Sequence, residues 1–63
     1  MCLATVYRSD DESVLFRNVS RLDVEGEKVI LRDIMGDEKV IVGSVLMVDL
    51  ANSILKIREI KEY

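Results

Sequence analysis

The chain has 63 residues, a formal net charge of −3, no histidine and a single cysteine. One cysteine excludes an internal disulfide, and no apolar run approaches the ~18 residues that cross a membrane as a helix. The nine basic residues are scattered among acids, whereas phosphate-backbone binding needs clustered Lys and Arg, so nucleic acid is not a favoured partner.

The stretch from Leu3 to Arg8 alternates, with Cys2, Ala4 and Val6 on one face and Leu3, Thr5 and Tyr7 on the other. That period of two, with Thr, Val and Tyr, predicts a first strand. Ser9-Asp10-Asp11-Glu12-Ser13 follows as a charged turn. It reads as a solvated loop, with a hard-cation site as a weaker alternative because it lacks the glycine-containing pattern of a calcium loop. Val14 to Asn18 is apolar-rich with Phe16 as a core anchor, and Val19 to Glu25 resumes the alternation. Glu25-Gly26-Glu27 then turns into a strand from Lys28 to Ile34, which makes a hairpin.

Met35-Gly36-Asp37-Glu38 is the next turn and Lys39 to Val42 the next short strand. Gly43 marks a bulge or bend, since glycine weakens a strand interior unless the backbone must turn there. Val45 to Leu50 continues the strand, and Ala51-Asn52-Ser53 leads into a last strand from Ile54 to Ile60. On that strand Ile54, Lys56, Arg58 and Ile60 share one face, opposite Leu55, Ile57 and Glu59, and Lys61-Glu62-Tyr63 reads as a loose tail.

There is no proline, no repeat and little helical periodicity. Turns recur every ~8–12 residues between β-branched stretches, the spacing of a small barrel or sandwich. The fold class is therefore all-β: residues 1–63 form a single domain, a small SH3-like barrel of five to six short antiparallel strands. Closure limits the exposed edges that so many apolar strands would otherwise present. A chain this short buries only about 60% of the surface its unfolded form exposes. Without a disulfide it must lean on a second copy, a metal or very tight packing.

Catalysis is not expected. The chain has no Gly-x-Ser-x-Gly, no phosphate-cradling glycine loop and no CxxC pair, and its acidic clusters fall in turns. The start lacks the basic and long apolar regions of a secretory leader, and a lone thiol fits a reducing, cytoplasmic setting.

Cys2 is the one residue that carries distinctive chemistry, and two readings of it stand side by side. It can be a small buried hydrophobe at the start of the first strand, as free cysteines often are. It can also be a metal ligand. Small second residues generally permit removal of Met1, which would leave an amine and a thiol on one Cα, able to chelate a thiophilic divalent ion. Amine and thiolate give only two donors in a plane, and adding the Leu3 amide nitrogen suits a facial arrangement. A square-planar N₂S₂ site, favoured by nickel(II), then needs Cys2 from two chains. If Met1 is retained, its amine, the Cys2 amide nitrogen and the Cys2 thiolate supply three planar donors per chain. The Asp10–Glu12 carboxylates lie too far along an extended strand, roughly 20 Å at about 3.3 Å per residue, to share that metal. Met35 and Met47 read as packing residues.

The opening Met1-Cys2-Leu3-Ala4-Thr5-Val6-Tyr7, the Val19-x-x-Leu22-x-Val24-Glu25-Gly26 strand and turn, the Val29 to Lys39 segment and the Val48 to Ile57 segment together resemble the CooT family. The resemblance spans essentially the whole chain. It implies a dimerising SH3-like barrel that serves nickel delivery for carbon monoxide dehydrogenase maturation, with the cysteine after the initiator Met as metal ligand, here Cys2. Members of that family have also been labelled as RNA-binding.

The resulting expectation is a cytoplasmic, homodimeric, non-catalytic nickel(II)-binding protein, a metallochaperone for a nickel enzyme. The alternative is an RNA- or protein-binding module with Cys2 merely packed, in which the face carrying Lys56 and Arg58 would be the RNA surface.

Overall fold

The computed structural model describes residues 3–62. Five strands follow in order: β1 (Ala4–Arg8), β2 (Val14–Glu25), β3 (Lys28–Asp33), β4 (Glu38–Asp49) and β5 (Ile54–Glu62). They close into a barrel in the order β1-β2-β3-β4-β5, so the all-β, SH3-like expectation holds. Each consecutive pair is antiparallel, while β1 and β5 close the barrel in parallel, with Thr5 opposite Ile54 and Tyr7 opposite Lys56. That seam follows from arithmetic. When five strands alternate in direction around a ring, the first and the last must point the same way.

Two of the strands are not short. β2 and β4 have 12 residues each, and each changes partner along its length. β2 pairs with β1 from Val14 to Val19 and with β3 from Val19 to Glu25. β4 pairs with β3 from Glu38 to Val42 and with β5 from Ile41 to Asp49. A strand shared between two parts of a barrel must bend, and both carry the device for it. In β2 the bend is at Asn18, whose φ of 57° lies in the left-handed region that Asn tolerates better than most residues. In β4 the pairing shifts at Val42/Gly43 and again between Val45 and Met47.

Gly43 is required for more than bending. A Cβ there would lie 2.0 Å from the carbonyl oxygen of Arg58, and its amide donates to the Glu27 carbonyl at 2.8 Å. The tail also departs from its expected looseness. Lys61 and Glu62 pair with Val42 and Ile41, so β5 runs on past Ile60.

The core consists of Val6, Leu15, Val19, Val29, Leu31, Ile41, Leu55 and Ile57, all on inward strand positions. Ala4, Phe16, Leu22 and Val45 pack against it half-buried, so Phe16 flanks the core and does not anchor its centre. Full burial of an aliphatic side chain is worth about 1.5–3 kcal/mol. Val6, Val29, Leu31, Ile41 and Ile57, each at most 2% exposed, therefore dominate the favourable side of folding.

Candidate functional site

The inward ladders of β1 and β5 end differently at the two ends of the barrel. Inward residues on β1 run Ala4, Val6, Arg8, and on β5 they run Leu55, Ile57, Glu59. At one end the ladders finish in an ion pair. Arg8 Nη2 donates to Glu59 Oε1 at 2.6 Å, with the Glu59 side chain only 9% exposed. The pair raises the Arg8 guanidinium above its ordinary range through its hydrogen bond and charge interaction with Glu59. Arg8 Nε and Glu59 Oε2 are buried beside it without partners. The adjoining turn is tied down by Arg8 N to the Ser13 carbonyl (2.8 Å) and Ser9 N to the Ile57 carbonyl (2.9 Å).

The acidic residues of that turn are engaged within the protein. Asp11 Oδ1 accepts from Ser13 N (3.0 Å) and Ser13 Oγ (2.7 Å), and these bonds hold its carboxyl below the usual aspartate range. Glu12 Oε1 is turned to Lys56 Nζ at 3.4 Å. The three carboxylates of Asp10, Asp11 and Glu12 do not converge on a point. Among the described residues no group of three or more Cys, His, Asp or Glu side chains is placed to hold a metal ion.

At the other end the same ladders finish in apolar side chains. A groove of about 200 Å³ opens there, lined by Ala4, Val19, Ser20, Arg21, Leu22, Leu50 and Leu55. Leu50 is 84% exposed. Val48 is paired with Leu55, so it lies on the inward side of the sheet, and yet it is 53% exposed. Together these residues make an apolar surface where the barrel is left open.

β1 begins at the rim of this surface. Its second residue is fixed by Thr5 N donating to the Ser53 carbonyl at 3.0 Å, with Ser53 in the left-handed region at a φ of 57°. The β4–β5 turn is braced from within: Asn52 N and Nδ2 donate to Asp49 Oδ1 (3.1 Å) and Oδ2 (2.9 Å). Those bonds hold the Asp49 carboxyl below its usual range. Leu3, half-buried, is the first described residue, and Ala4 lines the groove. Cys2 and Met1, on which the metal expectation rests, lie outside the described residues. Of the other soft donors, Met35 is 82% exposed in the β3–β4 turn, and Met47 lines a separate groove with Tyr7 and Lys56.

The Arg8–Glu59 pair was not foreseen from sequence. Its signal was present in parity, since Arg8 follows Ala4 and Val6 on one face and Glu59 follows Leu55 and Ile57. Only the β1–β5 seam brings the two together.

The fold thus defines a small SH3-like barrel with one end sealed by charge and the other, where β1 begins, left apolar. The family model for the CO dehydrogenase accessory protein CooT matches residues 1–58, and the chain belongs to that family. No curated protein and no solved structure gave a match. No helix among the described residues is long and apolar enough to cross a membrane.

Proposed function

We propose that this protein is a non-catalytic, cytoplasmic metallochaperone that binds nickel(II) through Cys2 and supplies it for CO dehydrogenase maturation. It works as a homodimer with one metal between two chain starts. Family membership supports the accessory role. The observation that carries the dimer is the apolar surface around Ala4, Leu22, Leu50 and Leu55, beside which β1 begins. A second copy seated there would bury Leu50 and Val48 and bring two Cys2 thiolates toward each other.

Nickel is cargo in this scheme. The side chains described offer it no cage, so the donors are the Cys2 thiolate with the terminal amine or a backbone amide nitrogen: the Cys2 amine once Met1 is removed, or the Met1 amine if it is kept, with the Leu3 amide as a further donor. Thiolate and nitrogen donors must shed protons to bind, so affinity falls with acid. Such donors bind copper(II) more tightly than nickel(II) by the usual divalent order, and selectivity therefore rests on geometry and supply. In this scheme a site closed by a second copy also allows the metal to leave when a client takes that copy's place.

Equilibrium nickel titration of the Met1-processed protein, followed by thiolate-to-nickel charge-transfer absorption, tests this. Saturation at one nickel per two chains, abolished in Cys2→Ser, is expected. Binding unchanged in Cys2→Ser, or no absorption, overturns it.

A further inference from the structure

A second groove, on the outer wall of the barrel, has no part in the nickel scheme. Tyr7, Lys56 and Met47 lie side by side across β1, β5 and β4, because Lys56 is register partner to both of the others. Ile54 joins them from the same face of β5, and Glu12 reaches over from the β1–β2 turn. The groove encloses about 390 Å³, within the roughly 300–1,000 Å³ of a typical small binding site.

Its chemistry narrows the occupant. Tyr7, Met47 and Ile54 form an apolar floor, all three only partly exposed. Above it stands one cation, Lys56, whose ion pair with Glu12 is long (3.4 Å) and open to solvent, with side chains 36% and 72% exposed. Exposed pairs of this kind are weak and readily exchanged. The turn backbone that carries Glu12 is pinned by Glu12 N to the Arg8 carbonyl (2.9 Å) and Arg8 N to the Ser13 carbonyl (2.8 Å). Releasing Lys56 therefore requires only that the Glu12 side chain swing away. Arg58, two residues further along the same face, is exposed.

The acids around the groove disfavour a polyanion. A phosphate backbone crossing it would pass Glu12 on one side and Asp49, the register partner of Ile54, on the other, and the chain as a whole carries −3. A segment with one carboxylate meets that repulsion at a single point, where Lys56 offsets it. We propose that the groove docks an extended segment of a partner protein in which an apolar side chain neighbours a carboxylate. The apolar side chain rests on Tyr7, Met47 and Ile54, and the carboxylate takes the place of Glu12 on Lys56.

Titration of the ¹⁵N-labelled full chain with the peptide acetyl-Ser-Glu-Phe-Ser-amide, read by amide shifts, tests the proposal. The shifts are expected at Tyr7, Met47, Ile54 and Lys56, and unchanged in Cys2→Ser. Glu12→Gln removes the internal competitor and should tighten binding about two- to fivefold, the equilibrium worth of an exposed ion pair. Lys56→Gln should weaken it by at least as much. The Lys-for-Glu peptide and a uridine oligomer should leave these amides unmoved. Stronger shifts from either of those, an affinity indifferent to Glu12→Gln, or no shift at these amides with millimolar acidic peptide overturns the proposal.

Discussion

The two ends of this barrel are built from the same two ladders and finished in opposite ways. At the Arg8–Glu59 end, β1 and β5 close on an ion pair, beside a glycine of β4 that lets β4 approach β5. At the Ala4 end they close on Leu22, Leu50 and Leu55, with Leu50 left 84% exposed. A charged plug suits a surface that faces water permanently, because the Arg8 side chain, 35% exposed, stays hydrated while it pairs with the nearly buried Glu59 carboxylate. An apolar rim suits a surface that spends its working life covered. In a chain too small for surplus stability, leaving one end apolar is costly unless something sits on it.

The largest effect should come from disturbing the sealed end. Gly43→Ala drives a methyl into the Arg58 carbonyl, opposite Glu59, where backbone on both sides must shift. Overpacking of this kind costs about 1–3 kcal/mol. A chain of this size has roughly 3–9 kcal/mol in all, taking ~0.05–0.15 per residue. Chemical denaturation should show a large drop in midpoint, and an unchanged midpoint would mean that the two strands are not in this register.

The open end should respond in the opposite sense. Leu50→Glu adds charge at an exposed position, so the unfolding free energy of the monomer should move by no more than about 0.5 kcal/mol. Sedimentation should nevertheless show loss of the dimer. A variant that stays dimeric would move the interface elsewhere on the barrel.

Acid gives a smaller effect and probes both ends through their turns. Asp11 beside the sealed end and Asp49 beside the open end are each held below the ordinary aspartate value of 3.8 by hydrogen bonds from Ser13 and from Asn52. The sign follows from linkage: a depressed carboxyl contributes stability that is complete above its unfolded value and lost as pH falls through its folded one. Stability should therefore decline below about pH 4, and Asp11→Asn or Asp49→Asn should each flatten that decline. A pH profile identical to that of the parent would show that the bonded carboxylates contribute nothing.

Much of the fold was legible in the sequence because alternation and turn residues are local signals. The hairpin at Gly26, the bend at Gly43 and the two faces of β5 all followed from a period of two. The stretches on either side of Asn18, and those on either side of Gly43 that the alternation already joined through a bend, are single long strands that change partner. A change of partner is a property of the closed barrel and leaves only a single Asn or Gly in the sequence. The extension of β5 through Lys61 and Glu62 was missed for a related reason, since their order comes from Val42 and Ile41, about twenty residues away. The proposed metal chemistry rests on Cys2 alone, from donor types and resemblance. The apolar rim around Ala4 was not legible, because Ala4, Leu22, Leu50 and Leu55 meet only in three dimensions. Taken one at a time, Leu22 and Leu55 look like core residues and Leu50 like the end of a strand.

The account turns on whether the open end joins two chain starts around one metal. X-ray absorption at the nickel edge, on the Met1-processed protein loaded to saturation, counts the sulfur atoms bound to each nickel. Two sulfurs per nickel, one from each Cys2, is the predicted result. One sulfur per nickel, or none, would contradict a site shared between two chains.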